Sequence, residues 1–219
     1  MVGGDAVMSA ASVGSAAVRS PIVGAVRGAS ILPPSASEML GRRTTRLPAH
    51  LVAAVGCHGG AGVSTLAAQL EHVGDSGQLW PGRADEPPFA VLVARESARG
   101  LAAASLAARQ YATNNAPAHV QLLGLVLVAG RKGKPTARLR RDRELLVGSG
   151  LFAHVWHVAW HDFLIDTPLN ELPSTGPDPA PAARRTDPRT VVAPDIAAVG
   201  QGLRDAAIAV MSGDAGTTP

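Results

Sequence analysis

Residues 51–70, LVAAVGCHGGAGVSTLAAQL, pass from five apolar residues through a glycine-rich turn into an alanine-rich segment. An apolar strand, a glycine turn and a helix start in that order let backbone N–H groups bend around a phosphate. A loop of the form G-x-x-x-x-G-K-[ST] adds a lysine over the outer phosphates and a hydroxyl for magnesium. Here Val63 stands where that lysine belongs, while Gly59, Gly60, Gly62, Ser64 and Thr65 keep the glycines and hydroxyls. The turn therefore has the backbone of a phosphate cradle without its own cation.

Outward from this turn, strand and helix signals alternate. The spacing predicts strands at 51–55, 89–94, 121–129 and about 152–160, and helices from Ser64 to about His72, over 97–113, over 136–147 and over 195–211. The strands at 89–94 and 121–129 are almost purely apolar, as strands covered on both faces should be. A β-α-β series of this kind implies an α/β domain: a mostly parallel sheet of about four to five strands with right-handed crossovers and helices on both faces. The helix SARGLAAASLAARQYAT is dense in alanine, and its small side chains suit close packing on a sheet.

The ends read differently. Residues 1–48 are rich in Ala, Ser and Gly, show no sustained period and carry five arginines against Asp5 and Glu38, which predicts a disordered linker or docking tail. Acid-poor, Arg- and Ser-bearing composition is also that of an organelle transit peptide, but the scattered prolines and the lack of an amphipathic helix argue against one. The α/β core is expected over 49–165, a proline-rich loop over 166–194, the last helix over 195–211 and a fraying tail over 212–219. Cys57 is the only cysteine, so the 219-residue chain forms no intrachain disulfide and has no cysteine pair for zinc, which suits a reducing cytoplasm. The longest apolar run, VQLLGLVLVAG at 120–130, is too short to span a bilayer and reads as a central strand. No membrane partner is expected.

Quoted from Gly56, the turn GCHGGAGVST resembles the deviant phosphate loop of the ParA/MinD family of cytoplasmic ATPases, G-K-G-G-x-G-K-[ST]-[ST]. On that pattern Cys57 replaces the first glycine, His58 the signature lysine and Val63 the phosphate-loop lysine, while Gly59, Gly60, Gly62, Ser64 and Thr65 match. The chain is also similar to an uncharacterised group of bacterial proteins carried on plasmids and other mobile elements, whose turn reads G-A-H-G-G-A-G-x-[ST]-T. That similarity continues through RESARGLAAASLAARQYA, LLGLVLVAG and VWHVAW.

The resemblance implies a degenerate P-loop protein that binds ATP or ADP with magnesium at His58, Gly59, Gly60, Ala61, Gly62, Val63, Ser64 and Thr65, with Ser64 as the magnesium ligand. It also implies an accessory role in plasmid partition or conjugal transfer, and allows two copies to pair across the glycine turn. Efficient hydrolysis is not expected, because phosphoryl transfer needs positioned cations and valine supplies none. His58, protonated, would add part of a charge. FLIDTP at 163–168 has the form of the family's D-x-P signature, with Asp166 in the acidic position, but it follows the strands it should precede and reads as coincidence.

Two further groups carry charge. GRKGKPTARLRRDRE holds Arg131, Lys132, Lys134, Arg138, Arg140, Arg141 and Arg143, seven cations within thirteen residues. This loop leaves the C-terminal end of a strand, where open parallel sheets gather ligands, so Arg131 or Lys132 is a candidate replacement for the lost lysine and would allow a working ATPase. Lys134, Arg138 and Arg141 on one stripe, opposite Leu139 and Leu146, instead suit sequence-tolerant, salt-sensitive contact with nucleic-acid phosphates through the 131–143 patch. A solvated helix face with Asp142 and Glu144 as local partners is the third reading. His154, His157 and His161 invite a metal, but on a strand His157 and His161 lie about 13 Å apart, with His154 pointing away, so no metal site is expected. Trp156 and Trp160 should share the other face and pack against a helix.

Overall fold

The computed structural model describes residues 31–48, 50–176, 187 and 189–213. Residues 1–30 of the expected tail, most of the proline-rich segment from 177 to 188, and 214–219 lie outside the described residues. In chain order the elements are β1 (Gly41–Arg43), β2 (Val52–Gly56), α1 (Val63–Gln69), β3 (Val73–Asp75), β4 (Leu79–Pro81), β5 (Phe89–Glu96), α2 (Ala98–Ala112), β6 (Gln121–Ala129), α3 (Ala137–Val147), β7 (His154–Val158), α4 (Phe163–Asp166) and α5 (Pro194–Ser212).

Five strands form one all-parallel sheet in the order β3-β2-β5-β6-β7. β2 is buried along its whole length and β5 over its first six residues, which is why their sequences are continuous apolar runs. Helices cover both faces. α1 and α5 pack on one side around Leu66, Ile196, Val199 and Leu203, and α2 and α3 on the other around Leu101, Ala104, Ala108 and Leu146. Ala104 and Ala108 are fully buried, so α2 lies close to the sheet as its alanine content predicts. Ser97 caps α2 through the Gly100 N–H, and Thr136 caps α3 through the Leu139 N–H, which sets both helix starts where the sequence places them.

The strand order has a consequence for ligands. From β2 the chain steps first to one neighbour, β3, and then to the other, β5. The connections after β2 and β5 therefore part to opposite faces and leave a crevice at the C-terminal strand ends, the place where open α/β sheets bind ligands. The glycine turn follows β2, and Arg95 closes β5 beside it.

Several expectations need correction. The segment between Glu71 and Pro88, where the spacing predicts no strand, contains β3 and β4. Residues 31–48, read as part of a disordered tail, are packed: β1 pairs with β4 in a second, two-stranded sheet. The Gln110 side-chain amide accepts from the Leu40 N–H and donates to the Leu40 carbonyl, both at 2.9 Å. Arg109 donates to the Leu32 carbonyl, and Leu47 is buried. These ties are made by single side chains over long sequence separations, so no periodicity announces them. β7 ends at Val158, short of the expected Trp160, and the chain then leaves the sheet. Its path includes α4 and reaches α1, where Thr175 bridges to Leu70 and bonds the backbone of Gln69 and Glu71. Part of the 166–194 loop is thus tied down.

Candidate functional site

β2 keeps its ladder one residue past its end, with the Cys57 N–H donating to the Val93 carbonyl at 2.9 Å, and then the chain turns. Gly60 (φ +75°) and Gly62 (φ +103°) adopt left-handed backbone that side chains with a Cβ avoid. Gly62 also serves as the N-cap of α1, whose first hydrogen bond runs from the Leu66 N–H to the Gly62 carbonyl. Among the described residues, none of the eight N–H groups from His58 to Thr65 donates to a protein acceptor. The residues that carry them line one open cleft of about 310 Å³ at the β2/β5 crevice. Successive unpaired amides in such a turn attract anions without any side-chain charge.

His58 does not act as the replacement for the signature lysine. Its Nδ1 lies 2.8 Å from the Gly59 carbonyl, and its Nε2 accepts the Arg95 N–H at 3.1 Å. A ring nitrogen that accepts cannot carry a proton, so these bonds assign the neutral tautomer with hydrogen on Nδ1. The imidazole is a brace between the turn and the end of β5. The cation at the turn is Arg95, whose Nε donates to the Gly60 carbonyl at 3.1 Å and whose guanidinium also reaches the Ala129 carbonyl. Arg95 escaped the sequence reading because only the strand order sets the end of β5 beside the turn; its signal was a lone arginine closing an apolar run.

Val63 and Ala61 are buried and pack in the α1/α5 core. Ser64 is exposed, and its hydroxyl donates to Asp75 Oδ2 at 2.6 Å, while Asp75 Oδ1 accepts the Gly77 N–H. Asp75, at the end of β3, was not singled out by sequence because β3 was not. Ser64 and Asp75 together supply hard oxygen ligands of the kind magnesium takes, and the free amides suit the phosphates it would accompany, so the residues present fit a nucleotide's charged end. Cys57, just past the end of β2, is buried, and burial pushes its thiol up to about 12, which makes it inert.

The 131–134 loop does not join this site. Lys132 pairs with Asp162 at 2.6 Å on the surface, and Arg131 and Lys134 are exposed away from the cleft lining. On α3, Leu146 is buried and Leu139 packs inward, leaving Arg138 and Arg141 exposed on the opposite stripe. Arg143 turns inward and pairs with Glu96 at 3.0 Å. Asp166 ends a single helical turn, not a strand, so FLIDTP lacks the setting of a D-x-P signature. The histidines separate. His154 lies beside Trp156 on one face of β7, as strand alternation predicts, and His161 lies beyond β7, where its Nε2 sits 3.0 Å from both carboxylate oxygens of Asp195. Among the described residues no group of three His, Cys, Asp or Glu side chains comes together as a metal site. No helix among them is long and apolar enough to cross a membrane.

No family model, curated protein or solved structure matches this chain.

Proposed function

We propose that the protein binds a small phosphate-bearing anion, of the nucleotide class, on the turn from His58 to Thr65 and does not hydrolyse it efficiently. One observation carries this reading: the eight consecutive residues from His58 to Thr65, whose amides have no acceptor among the described residues, line an open cleft at the sheet's switch point. Arg95 adds a cation there, and Ser64 with Asp75 adds oxygen ligands for an accompanying magnesium ion. Weak turnover follows from the same residues. Val63 offers no charge, and two donors of Arg95 are committed to backbone carbonyls, so little remains to stabilise a transferring phosphoryl group. An accessory role in mobile-element partition or transfer rests on resemblance alone.

The test is calorimetric titration with pyrophosphate, ADP and ATP, with and without magnesium, beside a phosphate-release assay. Gly59→Asp is the informative variant: the nearest atom to an added Cβ is 3.9 Å away, so the chain has room for it, and its carboxylate competes for the amides. Saturable binding that this variant abolishes is expected. Rapid phosphate release by the unsubstituted chain would replace this reading with an active ATPase.

A second reading has its own observation. Arg131, Lys134, Arg140 and Arg141 are all exposed, and among the described residues none forms an ion pair. Such a surface suits sequence-tolerant nucleic-acid binding, with affinity falling steeply as salt rises. DNA binding that persists in Gly59→Asp and is lost when Arg140 and Arg141 are changed to alanine would support it.

A further inference from the structure

The two edges of the main sheet are unlike. β3 is three residues long; its Val73 N–H already donates to the Leu70 carbonyl, and its Asp75 carbonyl accepts from Arg43 at 3.0 Å. A side chain from the 31–48 segment thus occupies that edge. β7, at the opposite end, is five residues long and pairs only with β6 among the described residues. No backbone group from His154 to Val158 bonds to another described residue outside that ladder; the nearest such bond is made by Ala159, one residue past the strand. In a parallel pair alternate residues turn their N–H and C=O groups away from the neighbour, so β7 presents a row of unpaired donors and acceptors.

Proteins guard such rows with charged residues, prolines, bulges or a covering element. β7, HVWHV, contains no Lys, Arg, Asp, Glu, Pro or Gly, and its register with β6 runs without a bulge. Arg143, the cation whose charge reaches His157, is already paired with Glu96 at 3.0 Å. The helices also stop short of this edge. β2 is buried along its whole length, whereas His154 and His157 are exposed and Val155 and Trp156 half-buried, on opposite faces of the strand.

We propose that β7 is the contact between two copies of this chain, paired antiparallel about a two-fold axis at Trp156 to make one ten-stranded sheet. The strand complements itself in that register. Trp156 meets Trp156 of its own copy, His154 lies opposite Val158, and Val155 lies opposite His157, so no acid or base of fixed charge faces its like. A second copy is the occupant because Arg43 closes the β3 edge to head-to-tail continuation, and a two-fold pairing that uses β7 twice leaves no open edge to extend. Antiparallel pairing sends the C-terminal strand ends of the two copies in opposite directions. The two anion clefts therefore stay apart, and this surface is distinct from the glycine turn.

Sedimentation of the full chain over a concentration series is expected to reach twice the 22.3 kDa of one chain. Val155→Lys with His157→Lys sets lysines opposite lysines on both sides of the axis and should weaken association at least about tenfold. His157→Lys alone changes an exposed side chain, so it should weaken association in the same direction without moving the melting curve. Hydrogen exchange needs no variant: alternate β7 amides should gain protection as the dimer forms. A mass of one chain at every concentration overturns the proposal. So does β7 protection that is independent of concentration, since another segment of the chain would then cover the edge. A dimer that survives both lysine variants and is lost in Gly59→Asp would lie across the turn, which overturns it as well.

Discussion

Replacing His58 with alanine separates a brace from a charge. The ring makes two contacts, Nδ1 to the Gly59 carbonyl at 2.8 Å and Nε2 from the Arg95 N–H at 3.1 Å. It is also wedged against α2, since a Cβ built on Gly100 would lie 2.9 Å from Nε2. Alanine removes both bonds and leaves the half-buried Arg95 N–H without its acceptor. At about 1 kcal/mol for each bond, with water partly satisfying the orphaned groups, the loss is about 2 kcal/mol. For a chain of this size that lowers Tm by roughly 4–8 °C. The turn should loosen as well, so anion affinity falls in the variant.

Sulfate affinity supplies the sharper readout. Loss of the brace should weaken sulfate binding in step with the fall in Tm. An unchanged Tm for His58→Ala, with sulfate affinity lost all the same, would mean that the ring contacts the anion directly and would refute the assignment.

Three further outcomes follow from buried groups. With its thiol pushed up to about 12, Cys57 should carry about a thousandfold less thiolate at pH 8 than a free cysteine near 8.5, so a disulfide reagent should label it slowly in native protein and rapidly in denaturant; fast native labelling would contradict its burial. Burial holds His72 below the usual imidazole range. The unfolded chain therefore takes up more protons as pH falls below about 6.5, and stability present above that value is lost toward lower pH; denaturant titrations should show it, and His72→Gln should reduce the slope. Gln110→Ala removes the two bonds to Leu40, so it should cost about 2 kcal/mol and expose residues 31–48 to protease, whereas unchanged cleavage would show that β1 alone secures the segment.

The amino-acid order was enough for the α/β class, four of the five strands of the main sheet and the glycine turn, because each depends on local information. Continuous apolar runs mark strands covered on both faces, Ser97 and Thr136 mark helix starts, and glycines at 60 and 62 permit the backbone that the turn adopts. β1, β3 and β4 were not legible, since three residues are too few to display a period, and residues 31–48 were misread because side-chain hydrogen bonds to distant backbone hold them. The chemistry around the turn belonged to tertiary structure alone. His58 became a neutral brace because β5 runs beside β2; Arg95, not the 131–134 loop, became the cation for the same reason; and Asp75 meets Ser64 because β3 pairs on the other side. Which residue serves a phosphate cradle is a matter of strand order, and strand order is decided by contacts between residues far apart in the chain.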